Sequence, residues 1–113
     1  MIARIKGKIV EQQTNALLIE MGGITYQVFV PVASLERIGG QADSDGNVEL
    51  VTFHYHQVEP SRSIPVLIGF LNEIEKEFFE AFITVSGIGP RAAVRALNKP
   101  ISAIARAIDE GDI

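Results

Sequence analysis

The sequence predicts an α+β protein in which a small five-stranded barrel precedes a short helical unit. Three observations point to this. Through Leu71 the apolar residues fall in five short runs separated by turn residues, with one short helical segment among them. Beyond Phe70 the apolar spacing changes from strand alternation to the period of about 3.6 residues that marks helices. A Gly-x-Gly turn, Gly87-Ile88-Gly89, then divides the helical stretch. The expected units are a barrel over 1–70 and a helical region over 71–113.

Along the first strand, Ile2 to Val10, the residues Ile5, Gly7 and Ile9 share one face, and Arg4, Lys6 and Lys8 share the other. Ala16 to Glu20 is apolar, Met21-Gly22-Gly23 reads as a turn, and Ile24 to Val30 returns as the next strand of a hairpin. Pro31 suits the first turn of a short helix ending at Ile38. Gly39 to Gly46, rich in Gly and Asp, reads as a loop. Asn47 to Tyr55 is strand-like, with Val48, Leu50 and Thr52 opposed by Glu49, Val51 and Phe53. The stretch from His56 to Ser63, which holds Pro60, reads as a polar connection, and Val66 to Leu71 as the last strand. Five strands with so little helix between them fit an OB-fold barrel.

In the helical region Asn72 is placed to cap a helix, with Glu75 three residues later in the capping-box position. Ile74, Phe78, Phe82 and Val85 follow at helical spacing and define the expected apolar face. Ser86 to Gly89 breaks that helix. Pro90 starts another, where its missing N–H is harmless. Lys99-Pro100 ends it, and Ile101, Ile104, Ala105 and Ile108 predict a third helix that Gly111 closes.

The 113 residues suffice for one domain or two small ones sharing a core, and a hydrophobic share of 47% is that of a globular chain. No apolar run approaches the roughly 20 residues a membrane helix needs. The alternating start, MIARIKGKIV, does not read as a secretory signal. With no cysteine, disulfide and thiol chemistry are excluded, and a cytoplasmic address is expected. The net charge of −4 speaks against a nucleic-acid partner until its distribution is considered. Glu73, Glu75, Glu77 and Glu80 crowd one segment, whereas Ala81 to Ile108 holds no acid but contains Arg91, Arg95, Lys99 and Arg106. Arg4, Lys6 and Lys8 form a second basic group, which either faces DNA or solubilises a strand.

The chemistry-bearing segment is Ser86-Gly87-Ile88-Gly89-Pro90-Arg91, with Arg95 one turn on. In a helix-hairpin-helix, the N–H groups of such a turn and of the following helix start converge on one phosphate oxygen. Ile88 is expected to fill the gap between the helices, and Ala92, Ala93 and Ala96 to let them pack closely. Arg91 and Arg95 supply charge. A Cβ at Gly89 is expected both to disturb the turn angles and to block the phosphate. None of these groups reads bases, so binding is expected to follow backbone rather than sequence. Two other readings compete. Gly87 to Ala92 formally matches a dinucleotide fingerprint, with Asp109 at ribose-acid spacing, but a helix rather than a strand precedes it. A plain glycine-capped turn is the other. His54 and His56 share a strand face with Glu59 nearby, but without a further His or any Cys they read as exposed strand residues, and no metal site is expected. No catalytic constellation and no Walker motif is present, so neither an enzyme nor a cofactor is expected.

Four segments resemble the RuvA family of Holliday-junction branch-migration subunits. These are Met1-Ile2-Ala3-Arg4-Ile5-Lys6-Gly7; Leu18 to Val28; Leu67-Ile68-Gly69-Phe70 followed by Glu77-Phe78-Phe79; and Gly87-Ile88-Gly89-Pro90-Arg91-Ala92-Ala93. The resemblance spans the chain, and the order of the segments is more specific than the hairpin alone. It implies an OB-fold domain that assembles homotetramers, then a domain whose two helix-hairpin-helix motifs grip four-way junction DNA. It also implies a third domain that recruits the RuvB motor ATPase in recombination and repair. The second hairpin, linker and third domain do not occur in these 113 residues, so motor recruitment would need sequence beyond them. The family places adjacent acids before the last strand as a pin at the junction center. Here Gln57 to Ile64 offers only Glu59 as an acid, and Arg62 brings the opposite charge. An oligomeric scaffold with weak or lost DNA binding is the alternative reading.

Overall fold

The computed structural model describes residues 1–97. The elements are β1 (Arg4–Gln12), β2 (Ala16–Met21), β3 (Ile24–Phe29), α1 (Val32–Gly40), β4 (Asn47–Glu59), β5 (Arg62–Phe70), α2 (Glu73–Ser86) and α3 (Pro90–Ala96). The predicted third helix lies outside the described residues. The strands close a barrel in the order β1-β2-β3-β5-β4. All pairings are antiparallel except β3 with β5, which run parallel at Val28↔Leu67 and Phe29↔Ile68.

β1 serves both sides of the barrel. It pairs with β4 from Arg4 to Lys8 and with β2 from Lys8 to Gln12, and its register against β2 shifts between Ile9 and Glu11. Such an irregularity bends a strand, which lets one segment join two neighbours around a closed sheet. As predicted, Ile5 and Gly7 point inward while Arg4, Lys6 and Lys8 are exposed. Gly22 and Gly23 have φ of 57° and 87°, the paired positive values that a tight two-residue hairpin requires. Pro31 is the N-cap of α1 rather than part of its first turn, and the helix runs to Gly40, past the expected end. α1 buries Leu35 and Ile38 in the barrel's interior cluster, with Ile5, Leu17, Ile19, Val28 and Leu50.

The predicted polar connection from His56 to Ser63 is instead mostly strand. β4 continues to Glu59 and β5 begins at Arg62, leaving Pro60 and Ser61 as the turn. Backbone pairing continues beyond the apolar core, so polar side chains carry no alternating signal there. β5 is buried without interruption from Val66 to Phe70 because both faces are covered. Leu67 belongs to the barrel interior, whereas Val66, Ile68 and Phe70 belong to a second cluster under the helices. At Gly69 a Cβ would stand 2.8 Å from Val28 Cγ1 and 3.0 Å from Leu50 Cδ1, so glycine permits this crossing.

α2 starts as predicted: the Asn72 side chain accepts the Glu75 N–H at 2.9 Å. Glu75 does not complete a capping box. Its buried carboxylate accepts the Leu71 N–H at 3.2 Å and pairs with Arg37 of α1 at 3.3 Å. The expected apolar face is corrected too. Ile74 is 76% exposed and Val85 88%, while Phe79 is fully buried. The Phe79 ring lies 5.0 Å from Phe70 and 5.8 Å from Phe53, with Phe78, Phe82 and Ile83 at the cluster's edge. The sequence holds two overlapping stripes about one residue apart, a rotation of about 100°. The aromatic wall of β4 and β5 selects the one centered on Phe79. Among the described residues no helix is long and apolar enough to cross a membrane.

Candidate nucleic-acid interface

The turn between α2 and α3 follows from its two glycines, which do different things. Gly87 ends α2 with φ 73°, in the left-handed region, and its N–H returns to the Ile83 carbonyl at 3.1 Å. That is the ordinary use of glycine beyond a helix end. Gly89 is the N-cap of α3 with φ −69° and ψ 158°, angles open to any residue. The expectation that a side chain at Gly89 disturbs the turn angles is therefore corrected. A Cβ at either glycine meets nothing within 4 Å. Among the described residues, nothing covers this face of the turn. Pro90 sits in the first turn of α3, as expected.

The Ala93 N–H bonds to the Gly89 carbonyl at 2.9 Å, and the Ile88 N–H faces the Ser86 hydroxyl at 3.5 Å. Among the described residues, the N–H groups of Gly89 and Ala92 have no protein acceptor. Ile88 is 37% exposed and does not seal the helix gap as expected. Ala93 is buried against the second cluster, while Ala92 and Ala96 are exposed. The two cations differ as well. Arg95 is exposed in the last turn of α3, whereas the Arg91 guanidinium lies over the Phe29 ring at 4.5 Å.

The other candidate residues do not all join this turn. Arg4 is ion-paired to Glu49 at 3.0 Å and to Glu73 at 3.3 Å. Those carboxylates, Glu49 first, hold its guanidinium above its ordinary pKa. Lys6 and Lys8 are exposed and carry no ion pair among the described residues. Glu59 flanks the β4–β5 turn, paired with Arg62 at 2.8 Å. His54 fastens the chain start: its Nδ1 accepts the Ile2 N–H at 3.0 Å, and the Thr52 hydroxyl donates to the Ile2 carbonyl at 2.7 Å. His56 lies 3.2 Å from the Ser63 hydroxyl. The partners Phe29 and Tyr55 around Arg91 went unread in the sequence. A signal existed in the aromatic run Phe53 and Tyr55 on the strand face opposite Val48 and Leu50.

Closure in the order β1-β2-β3-β5-β4, a helix between β3 and β4, and two further helices on the outer wall define a barrel protein of the OB type. The model of the RuvA N terminal domain matches residues 1–59. The Holliday junction branch migration complex subunit RuvA of Desulfatibacillum aliphaticivorans is 42% identical over 113 residues, covering 99% of this chain and 53% of the relative. The protein of the same name from Desulfosudis oleivorans is 35% identical over 113 residues, again 99% and 53%. That from Francisella tularensis subsp. novicida is 39% identical over 98 residues, 87% of this chain and 42% of the relative. The chain belongs to the RuvA family. It spans about half the length of the curated relatives it matches.

Proposed function

We propose that this chain is a non-catalytic subunit that binds four-way DNA junctions through sequence-independent phosphate contacts and supports branch migration in recombination and repair. The observation that carries the reading is the turn from Ser86 to Pro90, whose outer face is open and whose Gly89 and Ala92 N–H groups lack acceptors among the described residues. Arg95 adds charge beside it. We take 71–113 as the DNA-gripping helix-hairpin-helix unit and 1–70 as the assembly unit. A gel shift comparing a four-way junction with a duplex of equal length tests the reading. Preferential binding of the junction supports it, and equal or absent binding of both refutes it.

Engagement of Arg4 and Arg91 inside the protein favours one second reading, an oligomeric scaffold with weak DNA binding. The same gel shift separates the two. Under both readings the barrel assembles the chain into a four-fold tetramer. Light scattering is expected to report four protomers, and a monomer at high concentration would exclude this. A RuvB-like motor ATPase is the proposed protein partner.

Lys6 and Lys8 are exposed on one strand face, opposite Glu49 and Glu20 in the register but within ion-pair distance of no acid among the described residues, and are proposed to meet phosphate. Replacing both with Gln is expected to lower the slope of log affinity against log salt by about two; an unchanged slope leaves them a solubilising role. In the same titration Glu59→Gln should change affinity little, because Arg62 already offsets that charge. A large gain or loss would make Glu59 a full pin at the junction center.

A further inference from the structure

Arg91 is the second residue of α3, beside the turn, where a cation is expected to meet phosphate. Its side chain is directed elsewhere. The guanidinium carbon lies 4.5 Å from the Phe29 ring centroid, inside the range of about 6 Å over which an aromatic face attracts a cation. The Tyr55 hydroxyl is close to both the Arg91 guanidinium and the Arg91 backbone N–H. Burial pushes the Tyr55 pKa up, and Arg91 pulls it the other way. Among the described residues no carboxylate lies within ion-pair distance of Arg91. Phe29 ends β3 and Tyr55 lies in β4, so one cation of α3 meets two barrel strands. α3 is seven residues long and buries Ala93 and Val94, with Leu97 buried just beyond its end. These anchors all lie in the later part of the helix, so a contact from Arg91 in its first turn weighs on the orientation of the turn before it.

We propose that Arg91 is a positioning residue: stacked on Phe29 beside Tyr55, it sets the orientation of the Gly87–Gly89 turn against the barrel and does not itself bind phosphate. This rests on the reading of that turn as the DNA grip. Phosphate is left to the turn's N–H groups and to Arg95. Arg91 and Phe29 then act as a pair, and removing either gives the same loss.

The test is a double-mutant cycle with Arg91→Gln, Phe29→Leu and both together. Urea unfolding and binding of a fluorescent synthetic four-way junction across a salt series are measured for each. Each single variant is expected to weaken junction affinity about two- to tenfold, the range of one cation–π contact. The double variant should be no weaker than either single one. The salt slope should stay at the parent value, because no phosphate contact is lost. Arg91→Lys should recover part of the affinity, since an ammonium is still drawn to the ring. Additive losses in the cycle overturn the proposal. So does a slope lowered by about one in Arg91→Gln while Phe29→Leu binds like the parent, which marks direct phosphate contact. If the parent binds no junction, the reading of the turn as a DNA grip fails. The unfolding cycle then decides the Arg91–Phe29 pair alone, coupled losses supporting it and additive ones overturning it.

Discussion

Gly89→Val is expected to remove most junction binding while the barrel stays folded. The extended backbone at Gly89 suits valine, and beyond its chain neighbours the added Cβ meets no atom of the described residues within 4 Å. The side chain instead fills the space that a phosphate would enter. On the proposed reading, the Gly89 and Ala92 N–H groups then lose their DNA acceptor. Hydrogen bonds to charged groups contribute about 1.5–3 kcal/mol each, so affinity should fall by roughly tenfold or more. Valine is also a poorer N-cap than glycine, so circular dichroism follows helix content alongside binding. Arg95→Ala should cost less, because it removes one contact and leaves the turn open. If Gly89→Val binds as the parent does, the turn is only a structural connection.

Phe79→Ala is expected to lower stability by about 3–5 kcal/mol, as for a large aromatic removed from a packed interior. Phe79 is fully buried between Phe70 of β5 and Phe53 of β4, and it anchors α2 to the barrel wall. A domain of this size has about 5–15 kcal/mol in total, so the loss takes a large share. The change should appear as a lower urea midpoint, with amides of α2 exchanging faster than those of β1 and β2. The control is Ile74→Ala. The sequence pattern ranks Ile74 as core, but its 76% exposure predicts a change within about 0.5 kcal/mol. A larger effect at Ile74 than at Phe79 would mean that α2 presents its other stripe.

Much of the barrel was legible because β1 to β3 obey one rule each. Alternation of Ile5, Gly7 and Ile9 with Arg4, Lys6 and Lys8 set the faces of β1, and Gly22-Gly23 marked the hairpin. The outer half of the β4–β5 hairpin was not legible, because beyond Tyr55 backbone pairing holds the strands without an apolar face. The face of α2 was ambiguous, since Ile74-Phe78-Phe82 and Phe78-Phe79-Phe82-Ile83 both run at helical spacing. Only the aromatic wall opposite distinguishes them, and that wall is built by distant strands. At the site, the left-handed role of Gly87 followed from its place after a helix. The extended angles of Gly89 did not, because glycine permits both conformations. Nor did the pairing of Arg4 with Glu49 and Glu73, or of Arg91 with Phe29, since each joins segments far apart in the chain.

The central claim is that this chain holds junction DNA by its phosphates and reads no bases. The most direct measurement is junction affinity across a salt series, on two four-way junctions of the same arm length and unrelated sequence. Phosphate binding predicts that log affinity falls linearly with log salt, with the same slope and the same affinity for both junctions. Affinity that is flat in salt, or that differs strongly between the two sequences, would contradict it.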